Sequence, residues 1–222
     1  GAQFESGMPG AQANAASGIR SGAGARSWLK SGHAADAFDV KADMLCVLEA
    51  AMSAPMTAPV KPGAPGWYHP GRSGTLALGP KIIATFGELH PRIIAAFDLK
   101  GPVAAFEIFL DAIPDGKSKK ARSVFAPSPF QAIERDFAFL VDAKVSAEDI
   151  TRAAKAADRA LIESVTIFDV YEGKGVGEGK RSLAIAVRLQ PKDKTLTDAE
   201  IEAVAQKIVA NVTKATGASL RG

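Results

Sequence analysis

Hydrophobic and polar positions follow the clearest pattern in the last third of the chain. Three runs of β-branched and aromatic residues have the length and composition of strands: 133–141, 164–171 and 182–190. Apolar residues at helical spacing follow the potential N-caps Ser146 and Thr197, and a short last strand is predicted at 218–221. The predicted order is β-α-β-β-α-β, the ferredoxin-like arrangement, in which both helices lie on one sheet face and the other face is free to bind.

The first part of the chain has a weaker pattern. It predicts a helix over 39–52 and a proline-rich loop over 55–66. A hairpin, a short helix and a buried strand are predicted at 76–86, 90–97 and 103–110. Residues 1–35 contain no complete periodic element, which favours a chain that begins within a domain. Short strands with isolated helices indicate an α+β fold.

A change in character near residue 116 predicts two domains. Residues 115–120 are polar and unpatterned, and Pro127 and Pro129 follow closely. Proline favours extended geometry in the residue before it, so 115–128 is interpreted as a linker or exposed loop. We therefore expect one domain over 1–120 and a second over 128–222.

Composition narrows the classes of function. The chain has 222 residues, of which 47% are hydrophobic and 23% charged, so it can bury a core. The single Cys46 excludes an internal disulfide or a cysteine-based metal cage and favours a reducing, cytoplasmic compartment. Residues 127–222 contain 14 Lys and Arg against 14 Asp and Glu. This balance excludes a strongly basic, non-specific nucleic-acid binder, so any RNA contact must rely on a local patch.

Candidate chemistry lies on two predicted strands. Asp169 and Tyr171 are two residues apart and should share a strand face, opposite Phe168 and Val170. If Phe168 and Val170 lie under the helices, the open face gains an aromatic ring that can stack on a base and a carboxylate that can accept from guanine. The next strand begins with three residues suited to phosphates and sugar hydroxyls: Lys180, Arg181 and Ser182. The alternative is a solvated strand face with a structural tyrosine.

Other motifs match known sites poorly. The glycine-rich segment 173–179 departs from the phosphate-binding loop pattern and precedes a predicted strand instead of a helix. The three histidines have no metal-ligand spacing. Ser73 lies in a segment resembling a nucleophile elbow, so a hydrolase using Ser73 and His69 is an open hypothesis that requires close Ser–His–carboxylate geometry.

Motifs along nearly the whole chain resemble the C-terminal part of the β subunit of bacterial phenylalanine–tRNA ligase. They occur in the family's order and include Trp67-Tyr-His-Pro-Gly-Arg-Ser73, Phe86-Gly-Glu-Leu-His-Pro91, Arg135-Asp136, Phe168-Asp-Val-Tyr171, Gly179-Lys-Arg-Ser-Leu183 and Leu220-Arg-Gly222. The resemblance implies that 1–120 is the last part of a catalytically inactive class II synthetase-like antiparallel domain. It implies that 128–222 is a ferredoxin-fold anticodon-binding domain.

The resemblance also implies partners and site residues. An α subunit would bind ATP, Mg²⁺ and phenylalanine and charge tRNA(Phe) within an (αβ)2 heterotetramer, whereas this chain would hold no catalytic residue, metal or cofactor. Six residues would contact RNA: Arg135, Asp169, Tyr171, Lys180, Arg181 and Ser182. An alternative from a different class is a ferredoxin-like regulatory module that binds a small metabolite and controls an attached enzyme.

Overall fold

The computed structural model describes residues 1–4, 6–23, 28, 32–52, 56, 58–114 and 127–221. These residues form two compact units, which we call the N-terminal unit (within 1–114) and the C-terminal unit (within 127–221). The predicted linker at 115–128 falls almost entirely on 115–126, which lie outside the described residues.

The N-terminal unit is built on a six-stranded antiparallel sheet. Its strands are β1 (Ala2–Phe4), β2 (Gln12–Ser21), β3 (Val60–Pro62), β4 (Tyr68–Leu78), β5 (Lys81–Leu89) and β6 (Val103–Phe109), in the spatial order β1-β2-β6-β5-β4-β3. Helix α1 (Ala37–Met52) packs on one face, because its buried residues Val40, Met44 and Leu48 recur every four positions. A shorter helix, α2 (Pro91–Ala96), links β5 to β6.

Strand β2 overturns the expectation that 1–35 lacks a complete element. Its sequence, Gln-Ala-Asn-Ala-Ala-Ser-Gly-Ile-Arg-Ser, carries few large apolar side chains and so gives no hydrophobic alternation. The partner strand explains this composition at Gly18, where an added Cβ would lie 2.4 Å from the ring of Phe106. The Phe106 ring of β6 therefore fills this part of the core, and Gly18 of β2 leaves room for it.

The C-terminal unit has the predicted β-α-β-β-α-β order. Its elements are β7 (Ile133–Asp142), α3 (Ala147–Lys155), β8 (Ile162–Tyr171), β9 (Lys180–Leu189), α4 (Asp198–Thr216) and β10 (Ser219–Leu220). All strand pairs are antiparallel, in the order β10-β7-β9-β8. This order confirms the ferredoxin-like fold and, with the first unit, an α+β architecture.

Both helices of the C-terminal unit begin at the predicted caps. The Ser146 hydroxyl accepts the amide of Asp149, and Thr197 with Glu200 forms a reciprocal capping box. Helix α4 ends at Gly217, whose φ of 70° is the left-handed conformation that glycine adopts readily. Helix α3 is short and ends at Lys155.

One buried cluster joins the helices to one face of this sheet. It includes Phe139, Val141, Ile185 and Val187 from the strands and Ile150, Val204 and Ile208 from the helices. Among the described residues, no helix is both long and apolar enough to cross a membrane.

Candidate nucleic-acid interface

The sheet of the C-terminal unit presents one face that its helices do not cover. Residues paired across neighbouring strands point to the same side, and the core residues fix which side faces the helices. We call the other side the open face; its central positions are Thr166, Asp169 and Tyr171 of β8, Ser182, Ala184 and Ala186 of β9, Asp136, Ala138 and Leu140 of β7, and Ser219 of β10.

A β-bulge places Asp169 and Tyr171 on the open face. Ile167 pairs with Ile185 and Asp169 pairs with Ala184, so Phe168 is an extra residue in β8. Since Ile167 faces the helices, strict alternation would turn Asp169 and Tyr171 towards the helices as well. The extra residue reverses the phase, so these two side chains reach the open face together.

The structure confirms that Asp169 and Tyr171 share a face but not the reason given from the sequence. Val170 pairs with Leu183 and points to the helix side of the sheet, but the helices do not cover it, since 51% of Val170 is exposed. Phe168 is 56% exposed. Phe168 occupies the bulge, and neither residue joins the buried cluster. The register of β8, and not burial of these two residues, sets the direction of Asp169 and Tyr171.

The ring of Tyr171 is held from two directions. Its hydroxyl donates to the backbone carbonyl of Lys174 at 3.3 Å, in the loop between β8 and β9. The guanidinium carbon of Arg221 lies 5.7 Å from the ring centroid, within the range of a cation–π contact. The backbone amide of Arg221 is fixed on β7 by a 2.7 Å bond to the carbonyl of Ala138. The ring remains 41% exposed, so it is accessible to a ligand.

Sequence reasoning missed Arg221 as a site residue. Strand β10 lies at the opposite edge of the sheet from β8, so the two side chains meet above β7 and β9. The row of the open face that starts at Arg221 carries the small side chains of Ala138 and Ala184 and ends at Asp169, next to the row of Tyr171. The quoted Leu220-Arg-Gly222 motif was the only signal in the sequence, and nothing in it places Arg221 near Tyr171.

Two more of the predicted residues lie beside Tyr171 on the open face. Ser182 pairs directly with Tyr171 and is only 5% exposed. Lys180 begins β9 opposite Asp142 and is exposed. By alternation from Ser182, its side chain belongs to the open face. A ring, a carboxylate, a hydroxyl and an ammonium group are therefore grouped at one end of this face.

The two remaining predicted residues, both arginines, lie on the helix-covered side. Arg181 pairs with Val141, and its guanidinium donates to the carbonyl of Val145 at 2.6 Å. Its Nε atom is buried and has no hydrogen-bond partner among the described residues. Arg135 pairs with Val187 and lines a groove beside Glu202 and Gln206 of α4. The structure therefore does not bring Arg135 and Arg181 together with Asp169 and Tyr171.

The geometry does not support the hydrolase hypothesis. The Ser73 hydroxyl donates to the backbone carbonyl of His69 at 2.7 Å, whereas a nucleophile would bond to the imidazole ring. The ring Nδ1 of His69 instead accepts the amide of Gly71 at 3.1 Å.

The described residues contain no group of three or more His, Cys, Asp or Glu side chains able to hold a metal ion. The glycine-rich loop before β9 leads into a strand, so no helix N-terminus faces a phosphate there.

Comparison with known proteins identifies both units. Residues 128–221 match the family model of the ferredoxin-fold anticodon binding domain, and residues 7–110 match that of the phenylalanyl tRNA synthetase beta chain CLM domain. The whole chain is 53% identical to the phenylalanine–tRNA ligase beta subunit of Paramagnetospirillum magneticum and 51% and 48% identical to those of Bradyrhizobium diazoefficiens and Rhodospirillum rubrum. It spans about 28% of the length of each of these relatives.

The fold and the family match agree that the C-terminal unit is a ferredoxin-fold anticodon-binding domain. The first unit belongs to the CLM domain family, so both units point to the same larger protein. The chain thus belongs to the phenylalanine–tRNA ligase β-subunit family, which confirms the predicted resemblance.

Proposed function

We propose that the open face of the C-terminal unit reads the anticodon of tRNA(Phe). The observation that carries this proposal is the bulge at Phe168, which presents a carboxylate and a partly exposed aromatic ring on the face that the helices leave uncovered. Single-stranded RNA is recognised by such groups, because splayed bases stack on aromatic rings and expose their hydrogen-bonding edges.

Each side chain has a separate role in this proposal. The Tyr171 ring stacks on a base, and the Asp169 carboxylate accepts hydrogen bonds from the amino and imino groups of guanine, the first base of the phenylalanine anticodon. Arg221, across the face from Tyr171, contacts the same nucleotide from the other side. Lys180 binds a phosphate, which fixes the register of the RNA without reading its sequence. Ser182 is only 5% exposed, so it contributes as the paired neighbour of Tyr171 on β9 and not through a direct sugar contact.

The rest of the enzyme supplies the chemistry. An α subunit, joined with the β subunit in an (αβ)2 heterotetramer, binds ATP, Mg²⁺ and phenylalanine and charges tRNA(Phe) in the cytoplasm. The N-terminal unit, within residues 1–120, is a class II synthetase-like domain without catalytic residues that supports this assembly. In this proposal the chain contributes anticodon recognition and no chemical step of its own.

Asp169→Ala tests the base-reading role. The experiment uses the α/β enzyme containing this chain and measures the binding of tRNA(Phe) and of a tRNA that differs only in the anticodon. We expect the variant to lose discrimination of guanine at the first anticodon position. Asp136→Ala is the matched control, because it removes one exposed carboxylate from the same face on β7. Unchanged discrimination in Asp169→Ala would show that Asp169 is only a solvated strand residue.

Two further substitutions separate stacking from charge. Tyr171→Ala should weaken cognate binding by about tenfold or more, since a stacked base contributes about 1–3 kcal/mol. Lys180→Ala should weaken all tRNAs alike and reduce the slope of log K against log salt by about one. Arg181→Ala is the charge-matched control, and we expect it to leave that slope unchanged because Arg181 lies on the other side of the sheet. Equal slopes for Lys180→Ala and Arg181→Ala would contradict the proposed phosphate contact.

A further inference from the structure

The loop between β8 and β9 contains four glycines, of which one differs from the others. Gly175, Gly177 and Gly179 have φ values of 89°, 87° and 71°, so their backbones require the freedom of glycine. Gly173 is not among the glycines with positive φ, so a side chain would cause no such strain there. The reason for glycine at this position must lie in its neighbours.

The neighbour is the ring of Tyr171. A Cβ added at Gly173 would lie 2.9 Å from the Tyr171 hydroxyl oxygen and 3.1 Å from Cζ. Both distances are shorter than ordinary van der Waals contact, which for carbon atoms begins at about 3.5 Å. The next residue, Lys174, receives the Tyr171 hydroxyl bond through its carbonyl oxygen. The start of this loop therefore packs closely against the hydroxyl end of the Tyr171 ring and hydrogen-bonds to it.

The crowded atoms belong to the far end of a side chain that can swing. An alanine at residue 173 can be accommodated by rotation of the Tyr171 side chain, which would lengthen the bond to Lys174 and move the ring relative to Arg221. The core of the unit lies on the other side of the sheet and is not touched. Gly173→Ala should thus change the ring's orientation and leave the fold intact.

We propose that Gly173 is a positioning residue for RNA binding: the absence of a side chain there sets the orientation in which the Tyr171 ring meets a base. The proposal rests on the proposed function of the open face. A stacked base must lie parallel to the ring, so a rotated ring loses contact area even though every group that touches the RNA is still present.

Ring orientation can be measured without RNA, because the chain contains only two tyrosines, Tyr68 and Tyr171. In the chain labelled with 13C on the tyrosine rings, Tyr171→Phe assigns the two sets of NMR signals. Gly173→Ala should shift the Tyr171 signals, leave those of Tyr68 in place and leave the unfolding midpoint unchanged. Gly66→Ala is the control, since no atom lies within 4 Å of the added Cβ. Unshifted Tyr171 signals in Gly173→Ala would overturn the proposal.

Binding to the α/β enzyme then tests the functional consequence. Gly173→Ala should weaken tRNA(Phe) binding by about threefold to tenfold, which is part of the stacking contribution. In a Tyr171→Ala background the same substitution should have no further effect, because no ring remains to be displaced.

The two possible failures can be told apart. If Tyr171→Ala weakens binding and Gly173→Ala does not, the positioning role is wrong and the proposed function stands. An equal loss from Gly173→Ala with and without Tyr171 also contradicts the positioning role. If Tyr171→Ala itself has no effect, the proposed function fails and the positioning role fails with it.

Discussion

The two sheets of this chain differ in what occupies the face that no long helix covers. In the N-terminal unit, the face opposite α1 carries Thr75 and Thr85 on its middle strands, and both side chains are buried. In the C-terminal unit, the corresponding face carries Asp169 and Tyr171, which are exposed. Both sheets are antiparallel with a long helix on one side, so the architecture alone does not reveal a binding surface. What distinguishes the proposed binding surface is that the groups on its uncovered face are exposed and able to bind RNA.

The largest expected effect tests whether the two units are stable independently. Phe139 and Met44 are fully buried, one in each core. Phe139→Ala should cost about 3–5 kcal/mol and Met44→Ala about 2–5 kcal/mol, because each leaves a cavity. Each substitution should lower hydrogen-exchange protection only in its own unit. Equal loss of protection in α1 and α4 after either substitution would show that the two units unfold as one.

A smaller effect distinguishes the two uncovered faces. The Thr85 hydroxyl oxygen is buried and makes no hydrogen bond of standard geometry with the described residues, although the Tyr68 hydroxyl is close enough for Thr85 to lower its pKa. A buried polar group without a well-formed hydrogen bond is costly. Thr85→Val keeps the shape and removes this penalty, so it should raise the free energy of unfolding by about 1 kcal/mol. Thr166→Val, on the exposed open face, is the matched control and should change it by less than about 0.5 kcal/mol.

The free energy of unfolding is measured by urea titration. The titration follows spectroscopic signals from the N-terminal unit for Thr85→Val and from the C-terminal unit for Thr166→Val. A loss of stability in Thr85→Val would mean that the Thr85 hydroxyl has a hydrogen-bond partner. The candidate is the hydroxyl of Tyr68, whose pKa is raised by burial and lowered to a smaller extent by its side-chain contact with Thr85. In that case the uncovered faces of the two sheets would differ in exposure, but the polar side chains on both would have hydrogen-bond partners.

The fold of the C-terminal unit could be predicted from the sequence more fully than that of the N-terminal unit, and the reason is physical. In the C-terminal unit, Ser146, Thr197 and Gly217 mark helix ends through local hydrogen bonds and backbone geometry, so the sequence around each is sufficient. In the N-terminal unit, β2 is a strand because β6 supplies its pairing and covers Gly18 with a ring. That information lies about ninety residues away along the chain, and local periodicity cannot contain it.

The candidate site shows the same limit. Asp169 and Tyr171 were predicted to share a face because residues two apart in a regular strand do, and they share it because no bulge lies between them. Which face they occupy depends on the bulge at Phe168, which only the pairing with β9 reveals. Arg221 reaches Tyr171 from the far edge of the sheet, so its role depends on the order β10-β7-β9-β8 and not on any local motif.

The smallest expected effect concerns acid stability and the first turn of α4. The hydrogen bond from Lys194, together with those from the amide and hydroxyl of Thr197, lowers the pKa of Glu200 from 4.5 to about 2. Because the folded pKa is the lower one, the contribution to stability is complete above the unfolded value and is lost as the pH falls from 4.5 towards 2. Hydrogen-exchange protection factors of α4 amides, which correct for the intrinsic effect of pH on exchange, should be lower at pH 3 than at pH 5 in the wild type. The Gln side chain of Glu200→Gln cannot titrate, so the protection factors of α4 amides should depend less on pH in this variant. The protection factors of α1 amides should be the same in both proteins. An identical pH dependence of α4 in the two proteins would mean that the Glu200 carboxylate does not couple acid to the stability of this helix.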